Sequence, residues 1–184
     1  MMRNYILHAL LTCFVLTSCQ ISGLTSGYTH LSKREREKVI HYKGNIDSIS
    51  NYANVYAVTV EHVKEYVLTH KKVIVYDYTP FCKSPFCTSP TALTKRYKAK
   101  GIDVLVISNI YDDIFKSVNK EFPMLMIDTK EYKTKWRGKY IDSFYFALTG
   151  LTLKEVNYAI YYYFRNGTYV KSFKDPKEIE KKIE

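Results

Sequence analysis

Along most of the chain, hydrophobic positions recur with one of two periods, and the switches between them mark out the elements. Residues 72–78, Lys-Val-Ile-Val-Tyr-Asp-Tyr, and residues 102–107, Ile-Asp-Val-Leu-Val-Ile, are short, β-branched and almost continuously apolar. Such runs predict strands covered on both faces. Residues 122–128 form a third run of this kind and residues 54–58 a shorter one. Between them the spacing turns helical. Residues 60–69 predict a helix with Thr59 as N-cap and Val63, Tyr66 and Val67 on its buried face. Residues 90–100 predict another, with Ser89 as N-cap, Pro90 at the first helical position and Gly101 as the stop. Residues 33–42, 111–120 and 140–149 also fit helices. Residues 158–164 and 168–173 are strand-like and flank Arg165-Asn166-Gly167, and an Asn-Gly pair in that setting predicts a hairpin. Asp175-Pro176-Lys177-Glu178 then opens a last helix with a cap, a proline and an early carboxylate.

The first eighteen residues follow a different pattern: Met-Met-Arg-Asn, an apolar stretch over residues 5–15, then Leu16-Thr17-Ser18-Cys19. A basic head, a short apolar segment and a small-residue site are the parts of an export signal. The apolar stretch falls short of the roughly 20 residues that cross a hydrocarbon core. Leu16-Thr17-Ser18-Cys19 resembles the bacterial lipobox, and the resemblance implies that Cys19 is acylated and becomes the mature N-terminus. On this reading residues 1–18 are a lipoprotein signal peptide and the partner of the chain is a lipid bilayer, entered through N-terminal acyl chains. An ordinary secretory signal with an incidental cysteine is the simpler alternative. Residues 19–32 are small and polar with two glycines and predict a flexible tether, leaving residues 33–184 as a single domain. Gln20 after the cysteine, rather than Asp, implies a cell-envelope location in the outer membrane if the host has two membranes.

Charge sharpens the expected surroundings. The chain has 28 Lys+Arg against 18 Asp+Glu, and removing residues 1–18 takes away only Arg3, leaving about +9. The lysines are dispersed rather than grouped with interleaved aromatics, so no nucleic acid partner is expected. Attraction to anionic lipid or to an acidic partner is the expected consequence. The eighteen tyrosines fall largely in strand-like stretches and are read as sheet and core residues.

Of four cysteines, Cys13 leaves with the signal and Cys19 is consumed by lipid, so Cys82 and Cys87 are the pair left in the domain. In an oxidising exterior compartment they are expected to form a disulfide. They lie between a strand-like run and a helical one. The order strand, cysteine loop, helix, strand, helix, strand, helix, hairpin, helix resembles the thioredoxin fold. It is closest to the peroxiredoxin and membrane-anchored thiol-disulfide oxidoreductase branch, whose "FPxLxD" segment is similar to Phe122-Pro123-Met124-Leu125-Met126-Ile127-Asp128. The resemblance spans about residues 54–183. It implies an α/β protein, a thioredoxin-like three-layer α/β/α sandwich with a mixed central sheet and a C-terminal β-hairpin plus helix. It also implies that Cys82 attacks and Cys87 resolves, the thiolate being favoured at a helix N-terminus. The sequence departs from that family in three places. Four residues separate the cysteines instead of two, no proline stands near Tyr158 where the family has a cis-proline, and Phe81 only partly preserves the preceding aromatic.

Two functions from different classes follow. One is an envelope thiol-disulfide oxidoreductase with Cys82 and Cys87 as catalytic residues, acting on exported cysteine-containing proteins. The other is a non-catalytic surface lipoprotein that uses the same scaffold as a binding module with a structural disulfide. Thiolates alone could also hold Cu(I), but all five histidines precede the cysteines and nothing completes a zinc site, so neither a metal nor a cofactor is expected. Asp112-Asp113 reads as a helix start, and Asn166-Gly167-Thr168 as a turn rather than a glycosylation site.

Overall fold

The strand over Lys72–Tyr78 has a neighbour on each edge and a hydrophobic core against each face, and the other elements are arranged around it. The computed structural model describes residues 22–152, 155 and 159–182. The signal segment, Cys13 and Cys19 lie outside the described residues. Seven described strands form one mixed sheet: β1 Val39–His41, β2 Val55–Val58, β3 Lys72–Tyr78, β4 Asp103–Ser108, β5 Met124–Ile127, β6 Tyr161–Arg165 and β7 Thr168–Phe173. Their spatial order is β1-β2-β5-β4-β3-β6-β7. The strands from β1 to β3 run parallel, and the β6–β7 hairpin is antiparallel to β3. The described α-helices are α1 Lys33–Glu37, α2 Val60–Thr69, α3 Pro90–Lys98, α4 Arg137–Thr149 and α5 Pro176–Lys182.

The two-residue period of β3 sorts its side chains between the two cores. Ile74, Tyr76 and Tyr78 point to one face, where Leu93 and Tyr97 of α3 and Ile179 of α5 close over them. Val73 and Val75 point to the other, against Val63 and Val67 of α2 and Tyr140, Phe144 and Leu148 of α4. A strand buried on both sides cannot alternate apolar with polar, which is why its sequence is nearly all apolar. The tyrosines follow the same logic: Tyr76, Tyr97, Tyr111, Tyr140, Tyr161 and Tyr163 are all fully buried. Burial holds the Tyr97 phenol up at about 12, since the phenolate cannot be solvated there.

Most predicted elements appear close to their expected limits. Helix α2 matches its predicted span, and the Thr59 N–H that would otherwise be orphaned donates to His62 Nδ1 at 3.1 Å. Two expectations are corrected. Residues 33–42 are not one helix: Ser32 and Glu35 form a capping box that supports α1, but the chain then extends and Val39 pairs with Val55 at the edge of the sheet. The β-branched pair Val39-Ile40 gains more from that pairing than from another helical turn. Residues 111–120 hold only a single turn of 3₁₀ helix, Ile114–Lys116. Asp113 there is left-handed at φ 61°, the Tyr111 N–H donates to the Ser26 carbonyl at 2.8 Å, and Asn119 Oδ1 accepts from the Glu121 and Phe122 N–H groups. A left-handed residue at Asp113 breaks any regular helix through this stretch.

The tether expectation covers residues 19–32, and over its described part the chain lies against the sheet's C-terminal end. The Ser26 N–H donates to the Lys135 carbonyl at 3.2 Å, the Arg137 N–H donates to the Leu24 carbonyl at 2.9 Å, and Thr25 pairs with Trp136 in an antiparallel bridge.

The hairpin turn gives a direct test of the register. Asn166 and Gly167 are both left-handed, at φ 50° and 78°, as a two-residue turn matching the strand twist requires. A Cβ on Gly167 would lie 2.6 Å from the Leu68 side chain and 3.2 Å from its Cα. Gly167→Ala is therefore expected to lower unfolding free energy by about 1–3 kcal/mol in urea titrations, with an unchanged midpoint excluding this turn.

Candidate functional site

The chain leaves the sheet at Tyr78 and does not become helical again until Pro90. The intervening loop is closed by a Cys82–Cys87 disulfide with a Cα–Cα distance of 6.2 Å. Two turns shape it: the Cys82 N–H donates to the Thr79 carbonyl and the Cys87 N–H to the Ser84 carbonyl, each at 3.0 Å. Lys83, Ser84, Pro85 and Phe86 are exposed, and the two cysteines are half-buried. The loop is fastened from below by phenols of the sheet. Tyr76 Oη donates to the Thr88 carbonyl and Tyr161 Oη to the Phe86 carbonyl, both at 2.8 Å.

This placement brings the two predicted cysteines together. Cys82 is eight residues before the first residue of α3 and is bonded through its sulfur to Cys87. Cys87, three residues before Pro90, is the nearer of the two. Ser89 occupies the N-cap position but makes no side-chain capping bond. The charge nearest Cys82 in sequence is Lys83, which favours a thiolate once the bond is reduced. No cis peptide occurs among the described residues, and the position near Tyr158 lies outside them.

Beside this loop, at the C-terminal ends of β3 and β4, sits a polar group of residues that sequence reasoning did not single out. Asn109 Nδ2 donates to Asp77 Oδ1 at 2.6 Å. Its Oδ1 accepts from the Arg137 guanidinium at 2.7 and 3.1 Å and from Thr79 Oγ1 at 3.1 Å. Arg137 also donates to Thr79 Oγ1 at 2.8 Å, and Tyr140 Oη donates to the Asn109 carbonyl. Loss of hydration is the main influence on Asp77 and pushes its carboxyl up to about 6, against the opposing pull of Asn109, Arg137 and Tyr145. The buried Tyr145 hydroxyl faces Asp77, and burial, with the carboxylate adding to it, holds its phenol well above the usual range. One signal in the sequence could have exposed the site: a single carboxylate near the end of an otherwise apolar buried strand needs polar partners.

The remaining candidates resolve into pairs. Asp112, expected to start a helix, instead accepts from Ser22 Oγ at 2.7 Å and meets His30 Nδ1 at 2.7 Å. Asp113 pairs with Lys116 at 2.8 Å. His41 meets Asp128 at 2.8 Å, and His70 meets Asp47 at 3.4 Å while stacking on Tyr66. Among the described residues no three His, Cys, Asp or Glu side chains converge as metal ligands, and no helix is long and apolar enough to cross a membrane.

The Asp77 environment has a measurable consequence. Its folded value lies above the ordinary 3.8, so the unfolded chain ionises first as pH rises. The contribution of this group to stability is thus greatest below about pH 4, falls between about pH 4 and 6, and is level above, by on the order of 3 kcal/mol. In Asp77→Asn, denaturation midpoints compared across that range are expected to lose this decline, and an unaltered slope would assign it to other groups. Compared with protein-family models, with curated proteins and with solved structures, the chain matches none.

Proposed function

We propose that this chain is a cell-envelope lipoprotein with a thioredoxin-like scaffold whose Cys82–Cys87 pair exchanges disulfides with exported proteins. The observation that carries the reading is the disulfide itself, held in an exposed loop between the central strand β3 and helix α3. The antiparallel β6–β7 hairpin beside β3, followed by a last helix, supports the scaffold.

The exchange balances as follows. In the dithiol form, the Cys82 thiolate attacks one sulfur of a substrate disulfide, forming a mixed disulfide and releasing one substrate thiolate. The Cys87 thiolate then attacks Cys82 Sγ, closes the Cys82–Cys87 bond and releases the second substrate thiol. The substrate gains two electrons and the protein loses two. An exterior dithiol reductant restores the starting form by the same two displacements in reverse. Acylated Cys19 would keep the domain at the membrane throughout.

A second reading, a binding module in which the disulfide is a staple, is favoured by the two phenols that fasten the loop and by the seven residues between Cys82 and Pro90. One pair of measurements separates them. For the exchange reading, alkylation of the reduced protein against pH is expected to give a Cys82 pKa below the roughly 8.5 of free cysteine, with reduction of insulin disulfides that Cys82→Ser abolishes. If the thiol titrates ordinarily and insulin stays oxidised, catalysis is ruled out. The staple reading then requires the Cys82→Ser, Cys87→Ser double variant to lose about 2 kcal/mol, the figure for so short a closed loop.

A further inference from the structure

The edge of the sheet that carries the disulfide loop also carries apolar side chains that face water. Leu24 is 52% exposed and Trp136 57%, and Phe81 and Phe86 flank the two cysteines with their rings partly exposed. These side chains stand on fixed backbone. Thr25 bridges Trp136, the Leu24 carbonyl accepts the Arg137 N–H, and Gly23 lies against the Phe81 ring. Their exposure therefore belongs to a built surface and not to a loose end.

Three lysines accompany them. Lys83 lies in the disulfide loop, and Lys133 and Lys135 lie just before Trp136. All three are exposed, and none has an ion-pair partner among the described residues. The neighbouring carboxylates are already engaged, Asp112 by Ser22 and His30, and Asp113 by Lys116. Lys83, Lys133 and Lys135 thus stand as unpaired ammonium groups close in sequence to aromatic side chains, with Glu131 and Asp112 as the nearby carboxylates.

The described chain begins at this same edge. Ser22 is held to Asp112, and Cys19 precedes it by three residues, a reach of at most ~11 Å when extended. We propose that this edge is a docking face for an anionic lipid bilayer, with Leu24 and the aromatic rings seated at headgroup level and Lys83, Lys133 and Lys135 against the lipid phosphates. A tryptophan beside lysines suits that boundary, its ring favouring the interface and the ammonium groups favouring the negative surface. The proposal rests on the lipoprotein reading for the bilayer's proximity. It deepens the exchange reading: with Phe81 and Phe86 at the interface, the disulfide meets cysteines close to the membrane plane, so its substrates are membrane-bound exported proteins.

Trp136 is the single tryptophan of the chain and reports the contact directly. The full-length protein, purified from host membranes and reconstituted, is compared in phosphatidylcholine vesicles with and without phosphatidylglycerol, using brominated acyl chains as quencher. In anionic vesicles Trp136 emission is expected to shift to shorter wavelength and to be quenched. Reversing Lys83, Lys133 and Lys135 to Glu is expected to weaken docking at least roughly 100-fold, at about fivefold for each cation lost. Raising salt to about 1 M is expected to lift the face of the wild-type protein from the anionic surface and relieve the Trp136 quenching. Quenching that is equal in neutral vesicles, or that survives charge reversal, overturns the proposal. Vesicles that carry the protein on flotation while Trp136 stays unquenched overturn the docking face and leave the anchor standing. A chain recovered without acyl chains yet quenched on anionic vesicles supports the face and removes the anchor.

Discussion

One amide, Asn109, reconciles the burial of β3 with the polar groups at its end. Its side chain serves Asp77, Thr79 and Arg137, its N–H donates to the Tyr78 carbonyl, and its own carbonyl accepts from Tyr140. Asn109 is 3% exposed, so each of these groups would be costly to leave unpaired. Through it, β3, β4 and the first turn of α4 are held in one position. Arg137 extends the arrangement outward, donating from Nη1 to the Gly23 carbonyl at 3.5 Å. The N-terminal segment, the disulfide loop and the helix thus share a single polar anchor.

The surrounding packing explains why that anchor can be small. Both faces of the sheet are lined with large side chains, and ring pairs such as Tyr76 with Tyr161 and Tyr145 with Tyr162 stack across neighbouring elements. A buried tyrosine supplies apolar area from its ring and a donor from its hydroxyl. Tyr76 and Tyr161 use those donors on the backbone of the disulfide loop, so the same residues build the core and shape the site above it.

Elements whose partners are implied by their own periodicity were legible in the sequence. Helix α2, strand β3 and the hairpin around Asn166-Gly167 lie where the patterns predict them. The stretches that differ are those whose backbone groups bond far along the chain. Residues 39–41 become a strand because β2 offers an edge, and residues 111–120 break from a helix at the left-handed Asp113, with the Tyr111 N–H bonded to the distant Ser26. The site divides in the same way. Two cysteines five apart can be read locally, whereas Asn109 and Arg137 are separated by 28 residues and Asp77 and Asn109 by 32, and no short motif links them.

The segment around Ser26 also sets an order of events. Its partners, Tyr111 and Lys135, stand 85 and 109 residues later in the chain. At ribosomal rates of about 5–20 residues per second, Lys135 follows Ser26 by roughly 5–20 s. Until Tyr111 is made the Ser26 segment lacks both of these partners, and closing so distant a contact adds a slow step to folding. A contact made by the first described residues to be synthesised therefore cannot close until Lys135 has been added.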